Sequence, residues 1–279
     1  MSKTYHFLAG LPRSGNTLLS ALLNQNPDIY SSPLSPIPFY LWELHTSSIN
    51  IEPNKRNLEN NIRTNTLLSS IMNSFYGDVE KPIVIDRDKA WGTPANLNLI
   101  KQYITPTPKI LFTVRDVLEI LASFVNIWRE DLINGTEQAG YYENSYRSQT
   151  DMLCEHLMRK GGDVDKALLS LATAFFPENK GMFHIIEYND LISNPQETMD
   201  KVYNFLELPN YKHDFNQIIK IEKDNDEVLG LPKTMHDVKK HLSKSKTDVS
   251  TLSNYVQHKY SNMEFWRENS LMKVRGKDF

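Results

Sequence analysis

The sequence predicts an α/β protein with three layers, a parallel sheet of about four to five strands flanked by helices. Three observations carry that prediction. Short apolar runs rich in β-formers (residues 4–9, 81–86, 109–114 and 182–188) alternate with helical patterns, the order that builds parallel sheets. The first run leads through a glycine-bounded loop, Gly10-Leu11-Pro12-Arg13-Ser14-Gly15-Asn16-Thr17, into an apolar helical stretch at 18–23. The second and third runs end in cations, Arg87 with Lys89 and then Arg115, where open sheets meet their ligands.

The first element reads as strand, loop and helix, which is how such proteins build an anion site. Backbone N–H groups of the turn and of the helix start converge on one spot, with the helix dipole behind them. The glycines let the backbone approach a bulky oxyanion. The loop nearly matches G-x-x-x-x-G-K-[ST]: Gly10, Gly15 and Thr17 are in place, but the lysine position holds Asn16. Without that lysine the case for hydrolysis of a nucleoside triphosphate weakens. The cation stands upstream instead, at Arg13, which suits a ligand with a transferable anionic group at its tip.

Residues 24–28 stop the first helix with turn chemistry. Residues 31–38 hold Pro33, Pro36 and Pro38 and read as an ordered surface loop near the anion site. A helix begins near Phe39 and carries Glu43 and His45, both proton acceptors in principle. Leu67, Leu68, Ile71, Met72 and Phe75 form one apolar helical stripe, ended by Gly77. The strand at 81–86 runs into Arg87, Asp88, Lys89 and Trp91.

Residues 97–104 fit a crossover helix, and 109–114 is the clearest central strand. It ends at Arg115-Asp116 and feeds a helix over 117–129 with Ser123 two turns in. A cation at a strand end and a hydroxyl on the next helix suit a second phosphate. The polar stretch 134–149, with Tyr141, Tyr142 and Tyr146, reads as a substrate-side insertion or lid. Helices are expected at 151–159 and 165–176. The strand at 182–188 precedes Asn194-Pro195, a good helix start. A lysine-rich segment at 233–246 and a docking helix at 263–267 complete the chain.

The composition sets limits. The chain has 279 residues, 40 % of them hydrophobic and 23 % charged, which suits one α/β domain over 1–279 with 213–279 as a helical and loop cap. The net charge is −3, so bulk electrostatics favour neither nucleic acid nor a membrane surface. One cysteine, Cys154, allows no internal disulfide and no cysteine-based metal site. No apolar run reaches the roughly 20 residues of a membrane span, and no signal-peptide pattern opens the chain. A soluble, cytoplasmic protein of open oligomeric state is expected.

Three features together resemble the sulfotransferases, which move a sulfuryl group from 3′-phosphoadenosine-5′-phosphosulfate (PAPS). They are the P-R-S-G-x-T loop, the Val114-Arg115-Asp116 strand end with Ser123 eight residues past the arginine, and the Tyr188 strand followed by an Asn-Pro helix. The loop is most similar to the tyrosylprotein and bacterial branches. The resemblance implies a P-loop-like sulfotransferase fold in which Arg13, Ser14, Gly15, Asn16 and Thr17 cradle the 5′-phosphosulfate. It implies that Arg115 and Ser123 hold the 3′-phosphate and that Tyr188 lies near the adenine. Arg87 or Lys89 would reach the sulfuryl group, and Ser243 with Lys244 would close over the cofactor. It implies no metal.

The tyrosylprotein branch carries a glutamate soon after the first helix, where this chain reads Tyr30-Ser31-Ser32-Pro33. The base is therefore left among Glu43, His45, Asp86 and Asp88, with His236 further off. The acceptor, a small molecule, peptide or glycan with a hydroxyl or amine, is left open. The competing readings are a P-loop kinase acting on a small molecule with ATP and magnesium, and a non-catalytic nucleotide-binding module.

Overall fold

The structure, a computed structural model, describes residues 3–128, 148–221, 238–243 and 247–267. Five strands, β1 (Thr4–Gly10), β2 (Ile29–Leu34), β3 (Ile83–Arg87), β4 (Ile110–Val114) and β5 (Phe183–Glu187), form one sheet in the order β2-β3-β1-β4-β5. Every neighbouring pair is parallel. From β1 the chain crosses to one side of the sheet, and from β4 it crosses to the other. The gap between the carboxyl ends of β1 and β4 is thus the topological switch point, where such sheets bind ligands.

The pleat divides the core. Phe7 and Ala9 of β1 join Val84, Trp91, Phe112 and Val114 on one face. Leu8 joins Ile85 and Leu111 on the other. The first face is covered by α6 (Pro94–Tyr103), α7 (Val117–Ile127) and α9 (Asp163–Ala172), the second by α1 (Asn16–Leu23) and α11 (Pro195–Leu206). Buried on both sides, the central strands read as continuous apolar runs, which is why the sequence exposes them.

Two expectations are corrected. The proline-bearing stretch is not a surface loop: residues 29–34 form edge strand β2, and Ser31, Ser32 and Ser35 are buried. An edge strand tolerates proline because one row of its backbone groups needs no partner, so Pro33 fits here and hides the strand signal. The single stripe at 67–75 is also broken. Helix α4 (Leu58–Ser69) ends and α5 (Ile71–Phe75) begins at Ser70, preceded by α2 (Ile37–Ser48) and α3 (Glu52–Arg56).

Among the described residues the remaining α-helices are α8 (Gln149–Met158), α10 (Tyr188–Ser193) and α12 (Asn254–Tyr260). The expected docking helix is a single 3-10 turn, Phe265–Arg267. Its Trp266 indole and Arg267 guanidinium both donate to Glu187 at the end of β5. The Glu264 carboxylate, one residue before, accepts from the Val117 N–H at 3.1 Å. The C-terminal segment thereby packs on the same sheet edge as the glycine loop.

Candidate active site

Helix α1 starts without a side-chain cap. Its N-cap is Gly15, at φ 92° in the left-handed region, and its first turn holds no acidic residue. Arg13 is also left-handed, at φ 59°, a conformation that costs a residue with a Cβ about 1 kcal/mol or more and gathers at functional sites. The loop is nevertheless firmly held. The Ser14 hydroxyl, fully buried, donates to the Leu11 carbonyl at 2.5 Å and lies 2.6 Å from Thr113 Oγ1. Asn16 Nδ2 donates to the same Leu11 carbonyl at 3.0 Å. Both side chains that the sequence assigns to a cradle therefore tie the loop to itself and to β4. What they leave for a ligand is backbone N–H.

Folding brings distant cations to this loop. Arg13 Nε donates to Ser123 Oγ of α7 at 3.2 Å, across 110 residues of sequence. Arg115, 4 % exposed, leaves the end of β4 and donates from Nη1 to the Arg13 carbonyl at 3.2 Å. Its Nε donates to Glu119 at 2.8 Å, and its Nη2 donates to Thr247 Oγ1 at 2.6 Å. The guanidinium also stacks on Tyr188, its carbon 4.4 Å from the ring centre. Tyr188 in turn lies against Gly15, where an added Cβ would stand 2.9 Å from its ring. Arg13, the Arg115–Ser123 pair and Tyr188, drawn from three separate stretches of sequence, form one contact group at the switch point.

On the other side of β1, Arg87 ends β3 and is 7 % exposed. Its Nη1 donates to Thr17 Oγ1 at 3.0 Å. Lys89, the alternative, sits on a 3-10 turn, exposed, and pairs with Asp163 at 3.0 Å. Arg87 rather than Lys89 belongs to the loop, because one residue beyond the strand the chain turns toward α9.

The proton acceptors named from sequence do not gather here. Glu43 is exposed on α2. His45 Nδ1 lies 2.9 Å from the Tyr103 hydroxyl. Tyr103 closes α6, the helix that descends from the carboxyl end of β3 to the amino end of β4, so His45 is drawn toward the opposite edge of the sheet. Asp86 is fully buried and accepts from Tyr76 at 2.5 Å and Trp91 at 2.6 Å. Asp88 caps the 3-10 turn through the Ala90 N–H. His236, Lys244 and the three tyrosines at 141, 142 and 146 lie outside the described residues. Ser243 is described, and it accepts from Lys239 at 3.2 Å.

Burial pushes the Asp86 carboxyl up to about 6 from its ordinary 3.8, against the opposing hydrogen bonds from Tyr76, Ser35 and Trp91. A raised folded value means that Asp86 supports the fold fully below its ordinary range and loses that support as pH rises through about 6. Relative to Asp86→Asn, the wild type is expected to lose stability between about pH 4 and pH 6. Urea unfolding of both proteins at the two ends of that window checks this, and an unchanging difference would overturn it.

Two site residues escaped the sequence reading. Thr113 is the single polar residue of β4 (Ile-Leu-Phe-Thr-Val), and a hydroxyl in an otherwise apolar buried strand is a usable signal. Thr247 gave none, since it reaches Arg115 from a polar C-terminal stretch.

The model of the sulfotransferase family matches residues 6–213, a span that contains the loop, Arg87, Arg115, Ser123 and Tyr188. The chain belongs to the sulfotransferase family. Among curated proteins it is similar to a protein-tyrosine sulfotransferase of Drosophila melanogaster, with 21 % identity over 242 residues. That match covers 80 % of this chain and 44 % of the fly protein, so the chain spans less than half the length of that relative. Among solved structures, mouse sulfotransferase SULT7A1 complexed with PAP aligns with a TM-score of 0.52 at 14 % identity, covering 96 % of this chain and 90 % of that one. The sulfotransferase domain from the curacin biosynthetic pathway aligns at 0.50 with 16 % identity, covering 76 % of each chain. The chain shares the P-loop-like fold of these neighbours. Among the described residues, no helix is long and apolar enough to cross a membrane.

Proposed function

We propose that the protein transfers a sulfuryl group from PAPS to a hydroxyl or amine of a small-molecule, peptide or glycan acceptor. The observation that carries this reading is the hydrogen-bonded union of the Arg13 loop with Arg115 and Ser123. One end of that group is an uncapped helix start, suited to a 5′-phosphate. The other is a cation and a hydroxyl, suited to a 3′-phosphate. PAPS carries both anions on one adenosine, and Tyr188 offers an aromatic face between them.

In this reading the loop N–H groups, Gly15 to Thr17 among them, and Arg13 take the phosphosulfate, while Arg115 and Ser123 take the 3′-phosphate. Thr247 stands beside Arg115 in the part assigned to Ser243 and Lys244. Arg87 faces the sulfuryl group. The S–O bond to the leaving 5′-phosphate breaks as the acceptor oxygen or nitrogen bonds to sulfur, and the acceptor's proton passes to a base. Negative charge grows on the 5′-phosphate, and fixed donors in a dry cleft stabilise it. Each such donor is worth about 3 kcal/mol of barrier.

Asn16 speaks against the kinase reading, because its amide is turned back onto Leu11 rather than out toward β- and γ-phosphates. Thermal shift tests the proposal. Adenosine 3′,5′-bisphosphate (PAP) is expected to raise the unfolding temperature at concentrations where 5′-AMP does not. Equal shifts would overturn the PAPS reading, and a shift seen only with ATP and magnesium would favour the kinase.

A further inference from the structure

Phosphate-binding loops that hydrolyse triphosphates use the Ser/Thr hydroxyl after the lysine position to hold magnesium. Thr17 is that hydroxyl. Here it accepts from the Arg87 guanidinium at 3.0 Å. Arg87 is fixed at its root as well. Its backbone N–H donates to Ser32 Oγ at 2.9 Å, and its carbonyl accepts from the Ser35 N–H at 2.9 Å. Thr17, Ser32 and Arg87 also border a small, partly open cleft of about 20 Å³, lined further by Ser20, Tyr30, Ser31 and Lys220. That is room for about one water. The head group is thus held between the first turn of α1 and the end of β3.

We propose that Thr17 is a positioning residue, whose hydroxyl aims Arg87 at the transferring sulfuryl group. This rests on the PAPS reading above, and it differs from the role the family resemblance gives Thr17, a direct bond to the donor phosphate. The physical ground is the guanidinium itself. It sits on a flexible stem with a rigid fan of donors, so a fixed hydrogen bond at one donor helps to set the direction of the others. In a buried setting that direction decides how well the charge meets the group it serves. Removing the hydroxyl takes that bond from the guanidinium, so its plane tilts about the stem, and leaves the loop N–H groups unaltered.

PAPS and PAP differ only in the sulfuryl group, so their dissociation constants separate the two roles. Calorimetric titration of Thr17→Val, which keeps the branched shape, is expected to leave PAP affinity within about twofold and weaken PAPS about five- to tenfold. Thr17→Ser is expected to restore wild-type PAPS affinity. Arg87→Ala is expected to lose the same PAPS increment, with no further loss in the double variant. Equal weakening of PAP and PAPS in Thr17→Val would overturn the proposal in favour of direct phosphate contact. No change in either would overturn it outright. A wild type that binds PAP no better than 5′-AMP would instead defeat the PAPS reading on which the proposal stands.

Discussion

Replacing Arg115 by alanine is expected to abolish the preference for PAP over 5′-AMP. The side chain is 5 % exposed, so its charge is largely withdrawn from water and its hydrogen bonds are charge-assisted. Removing such a partner costs about 2–3 kcal/mol, roughly thirty- to 150-fold in affinity. The loss falls on the 3′-phosphate, because 5′-AMP lacks it. Arg115→Lys keeps the charge but not the fork that reaches Arg13, Glu119 and Thr247 at once, so an intermediate preference is expected. Thermal shift with both nucleotides measures this, and circular dichroism shows that the variants fold. A retained tenfold preference in Arg115→Ala would remove Arg115 from the 3′-phosphate site.

Gly10→Ala is expected to destabilise the protein by about 3 kcal/mol and to lower its unfolding temperature by roughly 6–12 °C. An added Cβ would stand 2.2 Å from Thr113 Oγ1, 2.6 Å from Asn16 Oδ1 and 2.8 Å from the Thr113 carbonyl oxygen. That carbonyl accepts from the Leu11 N–H in the β1–β4 ladder, so it cannot move without opening the sheet beneath the loop. Gly181→Ala is the control. At φ +81° it has no atom within 4 Å of an added Cβ, and it bears only the left-handed penalty of about 1 kcal/mol. Calorimetric scans of the two variants decide the matter. Equal destabilisation would mean that the close approach at Gly10 is not what limits the site.

Much of the fold was legible because local chemistry and burial agree. Strands β1, β3 and β4 are largely apolar runs inside a parallel sheet, β5 is an apolar-rich run closing one edge of it, and their ends carry the residues that the sheet delivers to the switch point. β2 was not legible. Its prolines and serines suit an edge that pairs on one side only, and nothing local distinguishes that from a loop. For the candidate site, Arg13, Arg115, Ser123 and Tyr188 were singled out by motif, and the structure joins them. Lys89 against Arg87 was undecidable in sequence, because the direction of each side chain depends on where β3 ends and the 3-10 turn begins. Glu43 and His45 were chosen for their chemistry alone, and the course of α2 carries them away from the loop.

By itself the sequence determined the strand–loop–helix unit of Gly10 to Thr17, its lack of the triphosphate lysine, and the arginine and serine that extend it. Those are properties of residue type and short spacing, which the chain carries before it folds. The tertiary structure alone decided that Ser14 and Asn16 serve the loop, that Thr17 receives Arg87, and that Thr247 meets Arg115 across 132 residues of sequence. Each is a pairing of one donor with one acceptor among many of the same chemistry, and only the strand order β2-β3-β1-β4-β5 selects which of them meet.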